Sequence, residues 1–227
     1  MAKTTSSKLL YWISGPRLPL LNLVAALITC AVIMARRDWV FNPPALVRLL
    51  DIIARVSVVF FLLSFVARPL NEVFHSKPTR WLQKNRRYFG LAFAAWFLQH
   101  LWLLPLAQVK FNVFGRFWMT GKFAFPAITI LLSVLMVVTS INRAQRSMPG
   151  WKALHWIGMQ ALWTWFLVIY LKFVSLRPDP YVFLYVGLFI SAQALRMGLF
   201  ARKLIKKERP ARVSTPDVAL GKQQQSA

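Results

Sequence analysis

The sequence predicts an all-α, polytopic membrane bundle of six transmembrane helices with both termini in the cytoplasm, and three observations carry that expectation. The 227 residues are 57% hydrophobic, with a mean hydropathy of +0.49. They also hold 29 Lys and Arg against 6 Asp and Glu, a net charge of +23. The apolar residues fall in long uncharged runs and the basic ones between them, as expected when lipid surrounds the helices and water the loops. Whole-chain disorder needs low hydrophobicity. A soluble nucleic-acid binder keeps its charge on one face of a modestly apolar domain, so a nucleic-acid partner is not expected. A single cysteine, Cys30, excludes a disulfide scaffold.

The runs are taken in chain order. About 20 apolar residues cross a hydrocarbon core about 30 Å thick. The first run is Leu18–Ala35, closed by Arg36 and Arg37. It is too long for a signal-peptide core, and no small-residue cleavage site follows it. The second, Val56–Ala67, reaches full length only by including Asp51 and Arg55, which stand four apart on one helix face and are placed to pair. The third is Tyr88–Val109, the fourth Phe123–Asn142 and the fifth Ala153–Leu171. The sixth runs from Pro180 to Ala201, with Arg196 near its end, where a long side chain snorkels to the interface.

Loop charge sets the orientation. The N-terminal segment, the second and fourth loops and the tail (with Arg196) hold 20 of the 29 basic residues. Cytoplasmic loops carry that excess, and an even number of spans puts both termini on the cytoplasmic side. Trp39, Trp81, Trp118 and Trp151 lie near run ends, as in an interfacial belt. The chain divides into a cytoplasmic segment (1–17), the six-helix domain (18–201) and a basic, disordered tail (202–227) containing Pro210 and Pro216. The start of that tail suits anionic lipid headgroups, but it serves equally as an orientation signal. No internal repeat supports a transporter of inverted halves.

Few residues are equipped for chemistry. The histidines are His75, His100 and His155. His75 falls in the second loop, where a solvated side chain is expected. His100 lies 12 residues past Tyr88, roughly 18 Å along a helix and near the bilayer middle. An intramembrane ionisable residue is a functional candidate, and a neutral imidazole bonded to another helix is the structural alternative. His155 stands about 5 Å into the fifth run, close to an interface where a histidine costs little. No CxxC, phosphate loop, HExxH or GxSxG occurs, and with so few acids hydrolytic acid–base catalysis is not expected. Phe93, Trp96, Phe97, Trp163, Trp165 and Phe166 suit a porphyrin wall or plain helix packing, and packing is the expectation for each.

Two stretches carry a resemblance. In RPLNEVFHSKPTRWLQKNRRYFGLAFAAWFLQHL, Pro69 and Leu70 precede Arg86, Arg87, Gly90 and His100; in VVTSINRAQRSMPGWKALHW, the sequence of Thr139, Ser140, Gln145, Arg146, Gly150, Trp151, Leu154 and His155 follows. Over roughly residues 15–200 this order resembles the ferric-reductase-like transmembrane domain family. Within that family it is similar to the haem-binding membrane subunits of bacterial periplasmic methionine-sulfoxide reductase systems. The resemblance implies a multi-pass protein of the bacterial inner membrane that carries electrons. It implies b-type haem, one or two groups, on His100 and His155, with a quinone or flavin (FMN) donor and a separate oxidoreductase partner. Propionates would meet Arg86, Arg87, Arg143 and Arg146. The family's fifth helix also carries a histidine 13 residues after the first, and here that position is Val168, which cannot ligate iron. His100 and His155 differ by about 13 Å in depth. Three outcomes stand open: one shared haem, separate haems with a weak second ligand, or a haem-free structural or assembly subunit. The chain has no dinucleotide motif and is at most the electron-transfer subunit of an oxidoreductase.

Overall fold

The computed structural model describes residues 15–35, 43–111, 124–140, 149–176 and 178–208. Among these residues the secondary structure is entirely helical, in six helices: α1 (Arg17–Ala35), α2 (Pro43–Phe74), α3 (Lys77–Phe111), α4 (Ala124–Thr139), α5 (Trp151–Leu176) and α6 (Pro180–Glu208). Three are long and apolar enough to cross a membrane: Ala45–Phe74, Trp151–Leu176 and Pro180–Ile205, with mean hydropathies of 2.3, 1.5 and 1.6. Arg17–Val32 and Ile128–Thr139 are shorter apolar helices. In α3, Lys77, Arg80, Lys84, Arg86 and Arg87 crowd the first three turns. Large apolar side chains stay exposed on the outer faces, among them Leu20, Leu27, Leu131, Trp156, Leu184 and Ile190. A surface of that kind is satisfied by lipid.

α2 and α3 are much longer than the apolar runs within them, at 32 and 35 residues. The second loop of the sequence reading is therefore mostly helix, broken only at His75 and Ser76. His75 adopts a left-handed conformation (φ 45°), its N–H still donating to the Asn71 carbonyl at 3.2 Å. Ser76 then opens α3 as its N-cap. The Thr79 N–H donates to Ser76 Oγ at 3.4 Å, and the Ser76 N–H donates back to Thr79 Oγ1 at 3.0 Å. This is a reciprocal cap that satisfies two otherwise orphaned donors. Arg80 donates through Nη2 and Nε to the His75 carbonyl, at 3.0 and 3.2 Å, and Asn71 Nδ2 donates to Gln83.

α3 lies between α1 and α2. Polar side chains fasten α1 to it: Gly15 N–H donates to Asn85 Oδ1 (2.7 Å), Trp96 Nε1 to Asn22 Oδ1 (2.8 Å) and Gln99 Nε2 to the Ala26 carbonyl (3.0 Å). Apolar packing between helices gains little over packing with lipid, so such bonds matter more to association in a membrane. On the other side, α2, α3, α5 and α6 share an aromatic core. Phe61 stands 5.4 Å from Phe93 and 5.3 Å from Phe166, ring centre to ring centre; Phe166 stacks on Phe189 at 6.0 Å. α4 packs on α5, and α6 closes onto α2. Asp51 and Arg55 do pair, and the Arg55 guanidinium also lies 3.8 Å over the Tyr181 ring. α6 continues to Glu208, past the boundary at 202 where composition places the tail.

Candidate functional site

One end of the bundle gathers the end of α2, the start of α3, the end of α4, the start of α5 and the end of α6 around a cavity of about 910 Å³. That volume is within the range of about 300–1,000 Å³ found for small-molecule and cofactor sites. Part of its lining is apolar: Phe61 and Phe65 from α2, Phe93 from α3, Met159 and Leu162 from α5. The same lining carries basic side chains, Arg68, Arg86, Arg87, Lys152, Arg196 and Lys203. Glu72 is the single acid among the described lining residues, and it is committed to Arg68 (2.8 Å) and Lys203 (2.7 Å).

His155 lines this cavity. Its Nε2 shares a hydrogen bond with Thr139 Oγ1 of α4 at 3.2 Å, and its ring meets Trp151 edge-to-face at 5.5 Å. Gly150, at φ +83°, opens α5 just before it, and its carbonyl accepts the Leu154 N–H at 3.0 Å. A side chain at Gly150 would be strained. One turn past His155, Gly158 lies so close under Met136 of α4 that a Cβ there would collide with the thioether.

Arg86 and Arg87 both line the cavity. Arg86 donates from Nε to the Ser64 carbonyl of α2 at 3.1 Å. Burial, and secondarily the nearby Arg68 charge, push its guanidinium below the usual arginine range. Arg143 and Arg146 lie outside the described residues.

His100 does not line the cavity. It contacts the backbone of Leu50 on α2 and sits within electrostatic reach of Asp51, and its Nδ1 is buried without a hydrogen-bond partner. Gly90 of α3, beside Ser64, belongs to the cavity. His100 is ten residues further along the same helix, about 15 Å away along the axis. Val168 is turned to the outer surface, 51% exposed, whereas the inward stripe of α5 is Gly158, Met159, Leu162, Phe166 and Tyr170. A histidine at 168 would therefore face away from the cavity, and the depth match it suggests with His100 does not make the two neighbours.

The cavity brings one histidine, His155, together with Arg68, Arg86, Arg87 and Arg196, the kinds of residue that would hold a haem. The residues present do not fit a haem shared by His100 and His155. Among the described residues no three His, Cys, Asp or Glu side chains group as a metal site.

Of the six aromatic residues expected to pack or to wall a pocket, Phe93 alone lines the cavity. Phe97 and Phe166 are core, Trp96 bonds Asn22, and Trp163 donates to the Phe189 carbonyl at 2.9 Å. Sequence reasoning missed Arg68, Glu72, Arg196 and Lys203. Arg196 in particular does not snorkel outward: its guanidinium stacks 4.2 Å over the Phe65 ring, inside the bundle. The available signal was its being the one charge in the sixth apolar run. Comparisons with protein-family models, curated proteins and solved structures find no match to the chain.

Proposed function

We propose that the chain is a six-span inner-membrane protein, both termini cytoplasmic, that holds b-type haem in the cavity beneath His155 and serves as a membrane electron carrier. The observation that carries this reading is the cavity itself, lined by one histidine together with aromatic side chains and arginines. Haem has that polarity, an apolar macrocycle with carboxylates on one edge. Bound there, it would supply one-electron chemistry, and the protein's part is ligation, burial and orientation. Thr139 Oγ1, hydrogen-bonded to His155 Nε2, orients the imidazole, and that bond would have to be given up for Nε2 to ligate iron. Phe61, Phe93 and Leu162 exclude water, and Arg86 and Arg87 neutralise anionic charge. With no nucleotide-binding motif in the chain, a quinone or flavin donor and a separate oxidoreductase acceptor complete the reading.

The test is the optical spectrum of purified wild type. A Soret band that shifts on dithionite reduction is expected; a colourless, monodisperse protein would contradict the reading. That second result fits a haem-free structural subunit, which the existing bond between His155 Nε2 and Thr139 favours.

A further inference from the structure

Arg196 is the one charged residue between Pro180 and Ala201, and it is turned inward. Its Nη1 is buried with no hydrogen-bond partner. Arg86, on another wall of the same cavity, is also largely withdrawn from water, and its one described hydrogen bond leaves from Nε. Neither arginine takes part in an ion pair among the described residues, because Glu72 is already held by Arg68 and Lys203. Each guanidinium presents five N–H donors in a planar fork and does not neutralise itself by losing a proton. Two such groups in a poorly solvated cavity leave a positive charge that an incoming anion would balance.

We propose that Arg196 and Arg86 form a two-guanidinium clamp for the oxyanion, carboxylate or phosphate, of an amphipathic ligand whose apolar body lies over Phe61, Phe93 and Leu162. The stack on Phe65 holds the Arg196 fork in position, so the clamp is built before the ligand arrives. This rests on the cavity being the ligand site, but not on the ligand being haem: a haem propionate and a phospholipid phosphate present the same chemistry.

The experiment compares purified wild type with R196Q, R196K, R86Q and, as a control outside the cavity, the exposed R202Q. Haem per chain is read by pyridine haemochrome, and phosphatidylglycerol binding by native mass spectrometry of the detergent-solubilised protein. Losing one charge-assisted partner should lower occupancy by the retained ligand about 10- to 100-fold in R196Q and R86Q. R196K should fall between these and wild type, and R202Q should match wild type. If R196Q does not give a monodisperse protein, R196K is read in its place, with at least a roughly threefold loss expected for a planar fork replaced by a point charge. Equal occupancy in wild type and the cavity variants overturns the clamp, as does a wild type that takes up neither ligand. A wild type that binds phosphatidylglycerol but no haem, and loses it in R196Q, upholds the clamp while contradicting the haem reading.

Discussion

Gly158 and His100 show what a single position decides in this chain. At Gly158 the absence of a side chain admits the Met136 thioether, so Gly158→Val must displace the Met136 side chain. Overpacking of this kind costs about 1–3 kcal/mol, and a fall in detergent Tm relative to wild type checks it. His100 is a different case. Its Nδ1 is buried without a partner, while the ring still hydrogen-bonds the Leu50 backbone. His100→Leu loses that bond and should lower detergent Tm by the equivalent of about 0.5–1.5 kcal/mol. A collapse of folding would show that the imidazole is needed where it stands. The sequence marks His100 as unusual through its depth in an apolar run. Which way it points depends on where α2 lies, and that is a tertiary fact. Arg196 is the same case: its charge is legible in the sixth run, its inward rotamer is set by the Phe65 ring.

The helices follow from length and hydropathy, and the asymmetries between them do not. Asp51 and Arg55 pair as their spacing of four requires. The α2–α3 connection, in contrast, reads as a polar loop because charges interrupt the apolar pattern, although those residues form helix readily. The break is placed by the Ser76–Thr79 cap and the left-handed His75. Ser76→Ala should destabilise the start of α3 by about 0.5–2 kcal/mol, measured as faster amide exchange at Thr79 and Arg80. The attachment of α1 was equally hidden, since a helix that is apolar nearly all round does not reveal which face meets protein. Gln99→Leu removes the bonds to Ala26 and Cys30. Intramembrane side-chain bonds average about 0.6 kcal/mol, with a maximum near 1.7, so α1 should loosen without the bundle unfolding. Increased labelling of Cys30 by a thiol reagent would report it.

At the scale of the molecule, the structure gathers at one end Arg68, Arg86, Arg87, Lys152 and Lys203 from four helices. Asp51, Arg55 and Tyr181 meet near the start of α2 and the start of α6, at the opposite end. The charge of +23 thus resolves into two roles. On the orientation proposed much of it is a topology signal, and a part of it lines a cavity. On the orientation proposed, a cysteine at position 75 should be labelled by an impermeant reagent only from the cytoplasmic side, together with both termini. Labelling from the periplasm would reverse the topology. The cavity was only half legible: the resemblance points to His155, Arg86 and Arg87, but Arg68 and Glu72 come from the end of α2, and Lys203 joins them through the docking of α6 on α2, 131 residues from Glu72 in sequence.

On the reading proposed, His155 and not His100 would hold the haem. Haem stoichiometry by pyridine haemochrome across wild type, His155→Ala and His100→Ala tests it most directly. One haem per chain in wild type and in His100→Ala, with none in His155→Ala, is the predicted result. Absence of haem from wild type, or its loss in His100→Ala with retention in His155→Ala, would contradict the account.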